Sequence, residues 1–220
     1  MSKELYRNIL DCLARRQRLV LATVVTRSGS GPREAGASMV VTVGGESMGT
    51  VGGGLLEAQV LAAAKNALHS ARPVCLTFSL TAKEVAAGGM LCGGRVEVLV
   101  DVLEGKDTRT LTIFEKIVTA QEQGRGLWLI RSIGPEESER DASSDSVGPE
   151  LVLPVVRSSV RTGLGLMDDD KLDAGSLALT NLTMDTLKQE RRREETVLIA
   201  RDVIRYLLQP VVLPGRVIIA

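Results

Sequence analysis

Aromatic residues are nearly missing, with one Trp, two Tyr and two Phe among 220 residues. Proteins that hold single-stranded nucleic acid stack bases on such rings. Formal net charge is zero, so no basic excess draws the chain to nucleic acid or to a membrane surface. Histidine occurs once, at His69, which excludes a multi-histidine metal site. The three cysteines, Cys12, Cys75 and Cys92, are odd in number and form no CxxC pair. A disulfide framework is therefore not expected, and a reducing, cytoplasmic setting fits best. No apolar run approaches the roughly 20 residues of a membrane span. The opening MSKELYRNILDCLARRQ carries charges throughout and lacks the apolar core of a signal peptide. What is present, 44% hydrophobic and 25% charged residues, describes a globular chain. Its length suits one large domain or two small ones.

The pattern along the chain predicts an α/β (α+β) fold, a mixed β-sheet with flanking helices and glycine-rich loops. Leu5, Ile9, Cys12 and Leu13 fall on one helical face. Leu19 to Thr26, LVLATVVT, is β-branched like a buried strand. Val40–Val43 and Ser47–Val51 read as strands about a Gly44-Gly45 turn. After Gly52-Gly53-Gly54 comes an Ala/Leu-rich helix with the stripe Leu56, Val60, Ala63 and Ala67, ended before Pro73. Val74–Leu80 and Arg95–Leu103 alternate as half-buried strands. Thr81–Ala87 carries a capping-box start for a short helix. Farther on, Leu111–Gln121 predicts a helix, Leu127–Ile133 a strand, and Gly134–Glu150 an exposed or disordered loop. Leu151–Val156 is strand-like, Met184–Arg193 is a polar helix, and Val197–Leu208 fits strand or helix. Asp168-Asp169-Asp170 reads as a solvated turn. Three segments follow: 1–104 with the glycine loops, 105–209 as an α/β extension, and 210–220 as a linker and buried strand.

Three glycine-rich loops hold the candidate chemistry: Gly29 to Gly36, Gly49 to Gly54, and Gly88 to Gly94. Glycine lets a ligand approach the main chain closely. The second loop opens a helix, whose unpaired N–H groups suit an anion. Arg33 and Arg95 can each grip phosphate in a forked geometry. Neither GxxxxGK[ST] nor GxGxxG followed by an acid is present. The plain alternative for each loop is a turn. Glu57, in the first helical turn, fits a partner of the helix dipole better than a catalytic group; as a ligand contact it would face a donor-rich ring. For Cys92 two readings stay open, a small buried apolar residue or a thiolate beside Arg95 able to bind a soft metal. Cys12 and Cys75 read as structural, and His69 as a surface or helix-capping residue.

Taken together, four stretches resemble the XdhC/CoxI family in order and spacing over residues 5 to 103. They are Leu21–Val25 running into Gly29-Ser30-Gly31-Pro32-Arg33 and Gly36-Ala37-Ser38-Met39; Gly49-Thr50-Val51-Gly52-Gly53-Gly54 with Leu56-Glu57; the Ala-rich helix; and Leu80-Thr81 through Met90-Leu91-Cys92-Gly93-Gly94-Arg95-Val96-Glu97. Pro210–Ala220, PVVLPGRVIIA, is similar to the linker and first strand of that family's C-terminal Rossmann-like domain, without the fingerprint. The resemblance implies an accessory protein, not a self-sufficient redox enzyme. It would bind, protect and deliver molybdenum cofactor (molybdopterin) to a xanthine dehydrogenase-type molybdenum hydroxylase and help place its terminal sulfur. The implied contacts are Gly29, Ser30, Pro32, Arg33, Gly36, Gly52, Gly53, Gly54, Glu57, Cys92, Gly93, Gly94 and Arg95, with Cys92 toward metal or sulfur. A cysteine desulfurase is a further implied partner, and an uncovered sheet edge favours a homodimer. NAD binding is not expected of this form. The rival readings are an NAD(P)-binding oxidoreductase component and a docking module that touches no cofactor.

Overall fold

The structure is a computed structural model that describes residues 3–29, 33–80, 94–135, 155–168, 171–173, 184–191 and 195–212. The chain packs as two units interleaved along the sequence, 18–103 with 136–160, and 1–17 with 104–135 and 161–220. The pattern-based boundaries at 104 and 209 were sequential. Among the described residues no helix is long and apolar enough to cross a membrane.

The first unit holds β1 (Leu19–Gly29), β2 (Ser38–Thr42), β3 (Ser47–Gly49), α1 (Gly54–Ser70), β4 (Val74–Leu80) and β5 (Gly94–Leu103). Strand order is β3-β2-β1-β5-β4, and each described pairing is antiparallel. A strand over Val155–Met167 adds its first residues beside β4, with Val74 opposite Ser159. The α/β class holds, whereas the expected mixed sheet is corrected to antiparallel ladders. The physical reason lies in α1. It joins β3 to β4, which run in the same direction, but β2, β1 and β5 lie between them. The crossover thus has a parallel signature in sequence without creating a parallel pair.

Burial explains why α1 lies where it does. Leu56, Val60, Ala63 and Ala67 are all buried, with Ala64 and Leu68 beside them. They pack on Val20, Ala22, Val24, Leu76, Phe78, Val96, Val98 and Val100, the inward side of the alternating strands. Ala71 ends the helix in the left-handed conformation (φ 56°) and returns its N–H to Ala67 at 2.8 Å. His69 Nδ1 lies 2.7 Å from the Lys65 carbonyl on the exposed side, in keeping with a capping role. Gly45, at φ 83°, makes the β2–β3 turn.

In the second unit, α2 (Lys3–Ala14) and α3 (Thr108–Gln123) pack through Tyr6 and Phe114, whose ring centroids are 6.3 Å apart. Cys12, expected on the buried face, is only half-buried, and Tyr6 takes the buried place. Asp107 caps α3, accepting from the Arg109 N–H at 3.0 Å. The sheet here contains β6 (Leu127–Pro135), the part from residue 161 on of β7 (Val155–Met167), β8 (Leu172–Asp173), β9 (Val197–Arg201) and β10 (Ile204–Val212). Helix α4 (Met184–Arg191) adds Leu187 to a core of Trp128, Ile130, Met167, Ile199, Tyr206 and Leu208.

Three details were not legible from the pattern. Arg157–Met167 is strand. Val197–Leu208 is a hairpin, turned at Asp202 (φ 52°). Pro210 to Val212 belong to β10, with Pro210 opposite Trp128, and not to a linker. Of the expected turn at 168–170 only Asp168 is described; Lys171 donates its N–H to Asp168 Oδ1 at 2.8 Å. The expected helix at 81–87, most of the loop at 134–150 and the strand at 215–220 lie outside the described residues.

Candidate functional site

The sheet directions bring the flanks of all three glycine loops to one end of the first unit. Strands β1, β3 and β4 run toward that end, and β2 and β5 start from it. Loops one and three meet there through their backbones: Gly29 pairs with Gly94 and Ser28 with Arg95. The Arg95 N–H donates to Ser28 Oγ at 3.2 Å. A Cβ at Gly94 would lie 2.2 Å from the Ser28 carbonyl oxygen, so this rung closes only with glycine.

The first loop is a hairpin that folds back along β1. Its base is made by the Gly36 N–H on the Val24 carbonyl (2.8 Å) and the Val24 N–H on the Ala37 carbonyl (2.9 Å). Gly36 sits at φ 90°. Arg27 spans the hairpin, gripping both Glu34 carboxylate oxygens and reaching the Gly29 carbonyl at 3.1 Å. Arg33 and Arg95 are exposed. Among the described residues neither guanidinium has an ion-pair or hydrogen-bond partner, so both charges stay available.

Loop two starts elsewhere on the same end. Thr50 donates its N–H to the Ser38 carbonyl at 3.1 Å, beside the base of the first hairpin. Gly49 is level with Met39 and Ala22. That is roughly 20 Å short of the Gly29–Gly94 rung at about 3.3 Å per residue. Loop one is thus the shared member, touching loop three at its start and loop two at its return.

Glu57 closes the second loop from within. Its Oε2 accepts the N–H of Val51 at 3.2 Å and of Gly53 at 3.1 Å, and the Thr50 hydroxyl donates to the same oxygen. The Gly52 N–H goes to Thr50 Oγ1 at 3.1 Å. Positive φ at Gly52 (148°), Gly53 (77°) and Gly54 (57°) is what aims these amides inward. Burial alone would raise the Glu57 carboxyl. The Thr50 hydroxyl and the amides of Gly53, Val51 and Gly52 outweigh it and hold the group below its ordinary 4.5. The dipole-partner reading of Glu57 describes this arrangement well. Thr50 escaped notice because a residue seven positions upstream carries no local capping signal.

On the opposite side of the β4–β5 pair from the α1 core, the buried Cys75 places its Sγ 3.1 Å from Glu97 Oε1. Thr26 Oγ1 reaches Glu97 Oε2 at 3.5 Å. This polar pair was also missed; the alternation of β5 puts Glu97 on that side but does not reveal its partner. Among the described residues no three His, Cys, Asp or Glu gather to hold a metal ion. Ser30, Pro32, Cys92 and Gly93 lie outside the described residues.

An α1-covered antiparallel sheet with glycine loops at one end, two open arginines and a helix start closed by Glu57 defines a scaffold of α/β type. The XdhC and CoxI family profile matches residues 12–79. A curated relative, an uncharacterized protein YqeB of Escherichia coli K12, is 28% identical over 134 residues, 61% of this chain and 24% of its own length. A solved structure titled a xanthine dehydrogenase, from Bacillus halodurans, shares the fold with a TM-score of 0.59 at 17% identity, over 94% of this chain and 52% of that one. The chain therefore spans about a quarter of the curated relative and about half of the solved one.

Proposed function

We propose that this chain serves the maturation of a xanthine dehydrogenase-type molybdenum hydroxylase, binding, protecting and delivering molybdenum cofactor and assisting its sulfuration. The observation that carries the reading is the meeting of loops one and three at the Gly29–Gly94 rung, with Arg33 of loop one and Arg95 beside Gly94 both unengaged among the described residues. The family match over 12–79 supplies the context. The cofactor is an anionic pterin with a phosphate, and its metal carries soft sulfur ligands. The open guanidiniums fit the phosphate. Gly29, Gly36, Gly52, Gly53 and Gly54 line the flanks, and Ser30, Pro32, Gly93 and Cys92 complete the proposed set, Cys92 facing metal or sulfur. A cytoplasmic setting, a cysteine desulfurase partner and a homodimer belong to the same proposal.

Retention tests it. Purified protein is mixed with molybdenum cofactor and passed through a desalting column, and the eluate is scored by reconstitution of an apo-hydroxylase. Co-elution is expected for the wild type, with loss in Arg33→Ala and Arg95→Ala. Equal reconstitution by the double variant would leave only a docking role.

A further inference from the structure

We infer that Glu57 is a positioning residue, filling from within the chain the place at the start of α1 that a ligand anion would otherwise take. The inference rests on the proposed cofactor site and sharpens it. The ligand's phosphate is left to Arg33 and Arg95, while loop two presents only its glycine backbone.

Geometry carries the assignment. The N-cap residue of α1, Gly53, has no side chain with which to cap, and no side-chain cap bonds its helix from that position. A helix start of this length exposes N–H groups that need an acceptor. One carboxylate oxygen supplies it for the N-cap residue Gly53, and also takes the N–H of Val51 just before the helix and the Thr50 hydroxyl. Thr50 in turn takes the remaining glycine N–H, that of Gly52. The donors at 50 to 53 are therefore spent within the loop. An incoming phosphate at this point would meet a carboxylate of the same sign in place of free amides. The same closed ring fixes three successive glycines at positive φ, conformations that glycine leaves readily when nothing holds them. Thr50 is itself tied to Ser38, and Ser38 donates its hydroxyl to the Gly36 carbonyl at 2.9 Å. Glu57 thereby reaches the base of loop one, where Arg33 is carried.

Amide exchange and phosphate titration of the full chain, read residue by residue by NMR, test this. In the wild type, Val51 and Gly53 are expected to exchange slowly and to stay unshifted by inorganic phosphate. Glu57→Ala is expected to exchange about tenfold faster at both amides, the loss of a charge-assisted acceptor. Added acetate, a free carboxylate, should restore protection where chloride at equal ionic strength does not. Glu57→Gln should fall between, since its amide oxygen still accepts. Phosphate shifts at Val51 or Gly53 in the wild type would overturn the inference, as would unchanged exchange in both variants. If Glu57→Ala fails to fold, the wild-type titration and Glu57→Gln decide. Absence of phosphate shifts at Arg33 and Arg95 would count against the cofactor reading alone.

Discussion

Replacing Gly94 by Ala tests whether the rung that joins loops one and three is as tight as the geometry states. The added methyl carbon would stand 2.2 Å from the Ser28 carbonyl oxygen, where ordinary contact begins at 3.4 Å. The obstacle is backbone, so no rotamer change relieves it. Either β1 and β5 part at their last rungs or the strain stays. Parting costs hydrogen bonds worth about 1 kcal/mol each, and overpacking costs about 1–3 kcal/mol. The expected destabilisation is about 1–3 kcal/mol, a shift of roughly 0.5–1.5 M in the urea midpoint. Two controls separate causes. At Gly45 nothing lies within 4 Å but φ is 83°, so Gly45→Ala meets left-handed strain alone, about 1–2 kcal/mol. At Gly44 the nearest atom is 3.7 Å away and φ is not positive, so Gly44→Ala should be neutral within about 0.5 kcal/mol. Circular dichroism follows the whole chain. The single tryptophan, Trp128, reports the second unit, so the change should be stronger in dichroism than in fluorescence. A Gly94→Ala midpoint equal to that of Gly44→Ala would refute the close approach.

Other outcomes follow from the same geometry. Glu57, held below its ordinary 4.5, contributes stability that is complete above that value and fades as pH falls through its lowered folded-state value. Urea midpoints of wild type and Glu57→Gln should therefore differ at neutral pH and converge in acid; a gap that widens in acid would contradict this. Phe78→Ala, at a fully buried position in the α1-covered core, should cost about 3–5 kcal/mol, read as the dichroism midpoint. Asp107→Ala removes the cap of α3, including the 2.6 Å bond donated by Thr110 Oγ1, and should cost about 0.5–2 kcal/mol, seen in tryptophan fluorescence.

Much of the first unit was readable because its signals are local. The stripe Leu56, Val60, Ala63 and Ala67 repeats at helical spacing and is buried as such. Val96, Val98 and Val100 alternate and face one core. The second unit was less readable. Val197–Leu208 is short, mixes charge with apolar residues and turns at Asp202 without a glycine. Residues 157–159 pair with β4, distant in sequence, which no local period announces.

The amino-acid order by itself determined where the described helix and most strands of the glycine-loop unit form and which residues face its core. These depend on side-chain period and backbone freedom, both properties of neighbours along the chain. Tertiary structure alone decided that β3 and β4 lie three strands apart, that Gly29 meets Gly94, and that Glu57 neutralises its own loop. Strand pairing and hydrogen bonding in space join residues by position and not by spacing, so the partner of each donor emerges only once the sheet is assembled.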